Sequence, residues 1–246
     1  MRLEKGIKRA IMSRKKRKKY QVYEGLRCAM MLCFISGYVN AFTYMTQGKR
    51  FAGVQTGNLL SFAIRLSEKQ LEEALQFLLP MLVFMLGQSF TYFMHRWAKQ
   101  KGLHWYLLSS FILTGIAFGT ALFTPFLPSN FTVAALAFFA SIQVDTFKTL
   151  RGASYANVMM TGNIKNAAYL LTKGLYEKNQ EITHIGRNTL IVILAFACGV
   201  VCSTILSLTY DEYALTPILI PLLYVNYLLA QEFYHIQTKI KPIKRA

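Results

Sequence analysis

Two identical tripeptides, Thr56-Gly57-Asn58 and Thr161-Gly162-Asn163, stand 105 residues apart, and each runs straight into a helix-forming stretch. Threonine and asparagine accept hydrogen bonds from the open amides of a helix's first turn, and glycine lets the backbone turn sharply or approach closely. Two chemistries follow. Each tripeptide either caps a helix at a surface or begins a re-entrant half-helix whose positive end faces an anion or polar solute.

Three further polar residues, Asn40, Gln143 and Asp145, interrupt otherwise apolar stretches. A carboxylate in hydrocarbon costs about 2.5–3.5 kcal/mol on insertion scales, so Asp145 either lines a cavity as a proton or cation site or reaches water, pairing with Lys148 or Arg151. The candidate substrate-binding set is therefore Asn40, Thr56, Gly57, Asn58, Gln143, Asp145, Thr161, Gly162 and Asn163. Asp145 and the two tripeptides are expected to converge at one centre, because each is costly unless paired.

Other reactive residue types point nowhere. Cys28, Cys33, Cys198 and Cys202 form no CxxC pair, and His95, His104, His184 and His235 lack the spacing of metal ligands. There is no P-loop, nucleophile elbow, HExxH or pair of carboxylates within a span, so no catalytic residue, metal or cofactor is expected.

The elements that must position these residues are set by composition: 54% hydrophobic residues together with a net charge of +17. Such a chain has to segregate apolar from charged residues. Windows of about 20 residues, the length that crosses roughly 30 Å of hydrocarbon, give six candidate spans near 28–47, 75–95, 104–124, 131–150, 188–208 and 216–234. Backbone amides in lipid must be satisfied internally and the alternating pattern of a barrel is missing, so the expected fold is all-α, a polytopic membrane helix bundle.

The flanks of the tripeptides extend the repeat. Ser36 aligns with Ser141, Asn40 with Asp145 and Phe42 with Phe147 without a gap, while Phe51-Ala52 aligns with Tyr155-Ala156 after a one-residue slip. Each copy reads as a span, a linker, Thr-Gly-Asn, a short amphipathic helix (Leu59 to Leu66, Ile164 to Leu171) and two more spans. Three is an odd number, so the second copy enters the membrane inverted, as in many secondary transporters. Valine at Gly57 or Gly162 is expected to damage folding through lost backbone freedom. The expected organisation is a basic tail at 1–27, membrane repeats at 28–124 and 131–234, and a basic tail at 235–246.

Charge orients the bundle. With both termini inside, 24 of the 28 Lys and Arg are cytoplasmic, which the positive-inside rule favours. The expected location is the cell membrane, with the bilayer as partner. The N-terminal tail would meet anionic lipid headgroups, each basic residue contributing about 1 kcal/mol near the surface, and no specific nucleic acid is expected.

Gly37-Tyr38-Val39-Asn40-Ala41, Phe51 to Asn58, Gln143 and Thr161-Gly162-Asn163 together resemble the pattern of the YoaK-like bacterial membrane proteins, a family of unknown function. The resemblance covers about residues 25–235 and implies a bacterial membrane protein of six or seven spans. This chain carries Asn40 where that family commonly has Asp, which weighs against a role that needs a carboxylate there. Three functions stay open: a small-solute transporter, a non-transporting scaffold or assembly partner, and a membrane-embedded lipid enzyme. A continuous polar cavity favours the first and a dry bundle the second.

Overall fold

The computed structural model describes residues 20–240, with side chains as far as His235; the expected basic tails lie largely outside the described residues. Eight α-helices follow one another: α1 Leu26–Thr46, α2 Gln55–Ser67, α3 Leu71–Gln100, α4 Trp105–Phe123, α5 Ser129–Thr146, α6 Met160–Tyr176, α7 Gln180–Tyr210 and α8 Leu219–Ile240. Short 3-10 turns at Val22–Glu24 and Asp211–Ile218 and a two-stranded antiparallel hairpin, β1 Thr149–Leu150 with β2 Ala153–Ser154, complete it. Among the described residues the fold is all-helical apart from that hairpin.

Four stretches are long and apolar enough to cross a membrane: Leu26–Thr46, Leu71–Gln100, Trp105–Phe123 and Gln180–His235. The last, 56 residues long, would extend about 84 Å as one helix, far beyond the hydrocarbon thickness. It is broken at Asp211, whose φ of 47° ends α7 and lets the 3-10 turn redirect the chain into α8. Helix α5 falls short of that apolarity because Asn130, Ser141, Gln143 and Asp145 punctuate it.

Burial separates a centre from a shell. Helices α1 and α5 carry buried residues around most of their circumference, as a helix does when neighbours enclose it. By contrast α3, α4 and α7 expose Met85, Leu86, Phe118 and Leu194, an apolar surface suited to lipid. Helix α1 packs chiefly on α7 and α5 chiefly on α3, while α4 and α8 face each other.

The α1–α7 contact is a backbone crossing. A Cβ added to Gly37 would lie 2.1 Å from the Phe196 carbonyl oxygen, and one added to Gly199 would lie 2.1 Å from that of Phe34. Only glycine permits this approach.

The two α-helical hairpins, α2–α3 and α6–α7, turn in the same way. Glu68-Lys69-Gln70 and Glu177-Lys178-Asn179 each place lysine at positive φ, 62° and 52°. Lys69 N–H donates to Leu66 O and Gln70 N–H to Arg65 O, and Lys178 N–H donates to Leu175 O and Asn179 N–H to Gly174 O. Here the offset is 109 residues, because α6 is one turn longer than α2, 17 residues against 13.

Candidate functional site

The expected fourth span, 131–150, ends early. After Thr146 the chain leaves the helix, turns through Arg151 and Gly152 at positive φ, and returns toward the bundle as an irregular segment to Met159. The equivalent segment after α1 does the same with Gly48 and Lys49 at positive φ. Their inner ends meet. A Cβ on Gly53 would lie 2.2 Å from Val158 Cγ1 and 3.3 Å from Asn40 Nδ2, so the first linker touches the second beside α1.

Irregular backbone in the interior leaves amides that need partners, and side chains supply them. Asn40 Oδ1 accepts from Gly53 N–H at 2.8 Å and Val54 N–H at 3.2 Å, while its Nδ2 donates to Ser36 O at 2.8 Å. One turn below, Gln143 Nε2 donates to Ser36 Oγ at 2.7 Å, Leu32 O at 3.0 Å and Asn157 Oδ1 at 3.2 Å. Asn157 Nδ2 in turn donates to Phe147 O at 2.7 Å and Gln143 O at 3.3 Å. Ser36 thus joins two linker-holding amides, Asn40 and Asn157 through Gln143, into one buried network. All four side chains are buried. Gln143 Oε1 has no hydrogen-bond partner among the described residues, an unmatched acceptor that costs about 1–3 kcal/mol when buried.

The Thr-Gly-Asn tripeptides hold the outer ends of the same linkers, in a manner different from the expected cap. Val54 and Met159, not threonine, precede the two helices, and the tripeptides occupy the first turn itself. Asn58 reaches back to Phe51, accepting its N–H at 2.9 Å and donating to its carbonyl at 2.7 Å. Asn163 does the same to Ala156, at 3.2 and 2.6 Å. Each asparagine imitates a strand partner for one residue of an otherwise unpaired linker. Phe51 and Ala156 stand 105 residues apart, so the one-residue slip used to align the linkers is unnecessary.

Thr56, Thr161 and Gly162 are exposed. No atom lies within 4 Å of a Cβ built on Gly162, whereas one on Gly57 would press on the Phe51 ring at 2.8 Å. The expectation that valine is damaging therefore divides. Gly57→Val should destabilise by about 1–3 kcal/mol through overpacking, whereas Gly162→Val should change stability by under about 1 kcal/mol, since valine meets nothing there and suits a helix slightly better than glycine. Thermal unfolding of the two purified variants measures the difference.

Asp145 does not join the network. It lies in the last turn of α5 with its side chain 28% exposed, and Lys148 Nζ sits 2.5 Å from its carboxylate. The expected convergence of Asp145 with both tripeptides at one centre is corrected: the centre belongs to Asn40 and Gln143. The physical reason is that the helix ends at Thr146, leaving Asp145 within reach of water and its neighbour's ammonium. Since partly exposed pairs are worth about 0–1 kcal/mol, Asp145→Asn should leave thermal stability within that range.

Sequence reasoning missed Ser36, Asn157 and Arg50 as site-forming residues. The i−4 spacing of Ser36 from Asn40 is the signal that reveals the first. Arg50 is 1% exposed, donating from Nε to Gln47 O at 2.9 Å, from Nη2 to Ser129 Oγ at 2.7 Å and from Nη1 to Asn130 Oδ1. Burial lowers its pKa from the ordinary guanidinium value. It ties the first linker to the start of α5. Beside the network, a cavity of about 260 Å³ opens between α1 and α7, lined by Asn40, Tyr44, Phe51, Val54, Phe196 and Thr204. Its walls are almost wholly apolar.

Membrane-length apolar helices around a buried polar centre define the class: an all-helical membrane protein. Its family follows from the comparison of sequences. The chain belongs to the family described as "Protein of unknown function (DUF1275)", whose model matches residues 28–228, within the stretch that carries the motif resemblance. No curated protein and no solved structure matches it.

Proposed function

We propose that this chain is a small-solute transporter or permease-like protein of the bacterial cell membrane, with six spans in two inverted three-helix repeats and both termini cytoplasmic. The inverted arrangement pairs α1 with α5, α2 with α6, α3 with α7 and α4 with α8. It is supported by the reciprocal bonding of Asn58 and Asn163, by the matched lysine turns, and by packing that exchanges under the pairing, α1 on α7 against α5 on α3. Residues 26–123 and 129–240 are then the repeats, and α5 is the fourth of the six spans, tolerated in spite of its polar residues because its neighbours bury them.

The observation that carries the transport reading is the meeting of two broken linkers at Gly53 and Val158 next to Gln143, whose Oε1 awaits a donor. Irregular backbone at membrane depth is tolerated only where it is buried in protein or lines a cavity, and transporters build their sites from such segments near the midplane and between repeats. A polar solute with a hydrogen-bond donor suits that acceptor. The present arrangement is closed, with access on either side requiring one linker to withdraw from the other. The scaffold reading keeps one observation in its favour, the apolar lining of the cavity beside Asn40.

Solute profiling of a deletion strain, followed by uptake into liposomes holding the purified chain, tests the proposal. A solute whose flux is lost in Gln143→Leu, with the variant still folded, supports transport. Tight folding with no flux across a broad panel of polar solutes supports the scaffold.

A further inference from the structure

The α6–α7 hairpin encloses a second cavity, about 530 Å³, lined by Gly174, Lys178, Gln180, Thr183, His184 and Arg187 together with Leu175. Lys178 enters from the turn, while His184 and Arg187 rise from the first two turns of α7, Arg187 Nη2 lying 2.9 Å from His184 Nδ1. No carboxylate is among the lining residues. The nearby Glu177 faces away onto Lys173, 3.9 Å from its Nζ.

The matched hairpin α2–α3 shows that this charge is not required by the turn. There Arg65 is neutralised from two sides, by Glu68 at 3.1 Å and Glu73 at 3.4 Å. The same backbone device thus carries paired charge in one copy and open positive charge around a cavity in the other. Next to that cavity Leu175 and Tyr176 are 69% and 89% exposed, apolar surface that lipid acyl chains can cover. Helix α6 runs antiparallel to α7, Gly174 beside Thr183 and Leu171 beside Gly186, and the apolar run of α7 begins only at Leu190, so the first two turns of α7 precede the hydrocarbon and lie at headgroup depth. That depth puts the basic cavity level with lipid phosphates, whose field attracts each Lys or Arg.

We infer that the α6–α7 cavity is a binding site for the phosphodiester headgroup of an anionic lipid, with Lys178 and Arg187 as its cationic donors, Gln180 as a neutral donor, and Leu175 against the acyl chain. This site is separate from any contact of the N-terminal basic tail. It rests on the membrane assignment and not on transport, so a null result in uptake assays leaves it standing.

The test uses the full chain in detergent micelles doped with phosphatidylglycerol or phosphatidylcholine, read by thermal unfolding. A ligand bound only by the folded state raises Tm, and an increment of about 3 °C or more for phosphatidylglycerol over phosphatidylcholine is expected. Lys178→Asn/Arg187→Gln should lose at least about half of that increment while matching the wild-type Tm in phosphatidylcholine, asparagine being suited to the positive φ of Lys178. Replacing the six basic residues Arg14 to Lys19 with glutamine should preserve the increment. The inference is overturned if the double variant keeps the full increment or if the tail variant abolishes it. It is overturned equally if millimolar inorganic phosphate alone reproduces the shift, which would identify a soluble anion as the occupant.

Discussion

Replacing Gly37 with leucine is expected to abolish accumulation of folded protein, and Gly199→Leu should do the same. Both substitutions push a side chain into a carbonyl oxygen of the opposite helix, 2.1 Å from the position of the first added carbon. No rotamer relieves this, because the first carbon already collides with backbone. Alanine is therefore enough to force the helices apart. The α1–α7 contact is the most extensive between helices in the molecule, and its loss removes the wall that holds Asn40 against the first linker. Overpacking that one side chain can absorb costs about 1–3 kcal/mol; here two backbones must separate, so the loss should exceed that range. Fluorescence-detected size exclusion of tagged variants checks it. Gly115→Leu, which meets nothing within 4 Å, should run as wild type.

The second large effect is expected at Asn40, and it should depend on one atom. Asn40→Ala removes the oxygen that accepts from Gly53 and Val54, orphaning two interior amides in the linker. At about 1–3 kcal/mol for each unmet donor, the cost is roughly 2–6 kcal/mol, a large share of a typical folding free energy. Asn40→Asp keeps that oxygen in place, and as the protonated acid that this buried site requires, its hydroxyl can take over the donation from Nδ2 to Ser36 O. It should therefore be much milder than alanine, which agrees with the Asp common at this position in the family that the motif resembles. Denaturation of the two purified variants beside the wild type separates acceptor from donor. Equal losses would show that side-chain volume, not the acceptor oxygen, is what the linker needs.

How far the molecule was legible in its sequence differs from element to element, for physical reasons. The first span, expected near 28–47, is Leu26–Thr46, and the third, expected near 104–124, is Trp105–Phe123. Both are apolar runs bounded by turn-forming or polar residues. The fourth is expected to reach residue 150 because a window of about 20 residues from 131 takes in the apolar Phe147 and Leu150. In fact they are buried in a linker and hairpin, which hydropathy cannot tell from a helix. Of the two readings of Asp145, the one that pairs it with Lys148 within reach of water is what the structure has, because the helix ends at Thr146.

The duplicated asparagines were visible, but their partners were not. Asn58 and Asn163 read as helix caps because that is the common local use of the residue. What each does instead, bonding both backbone groups of a residue seven positions earlier, depends on a linker folding back on its own helix. Beyond the tripeptides the offset between the matched turns moves from 105 to 109, because α6 is one turn longer than α2. Only the left-handed lysines at 69 and 178 make that register plain.

Those two turns also give the most direct test of the central claim, that the halves of this chain are inverted repeats meeting at buried linkers. With Cys28, Cys33, Cys198 and Cys202 replaced by serine or alanine, single cysteines are introduced as Lys69→Cys and Lys178→Cys, two exposed and structurally matched positions. An impermeant maleimide is applied to intact cells and, separately, to opened membranes. The account predicts that residue 69 labels in intact cells and residue 178 labels only after the membrane is opened. Labelling of both positions from the same side would contradict the inverted arrangement and the transport reading built on it.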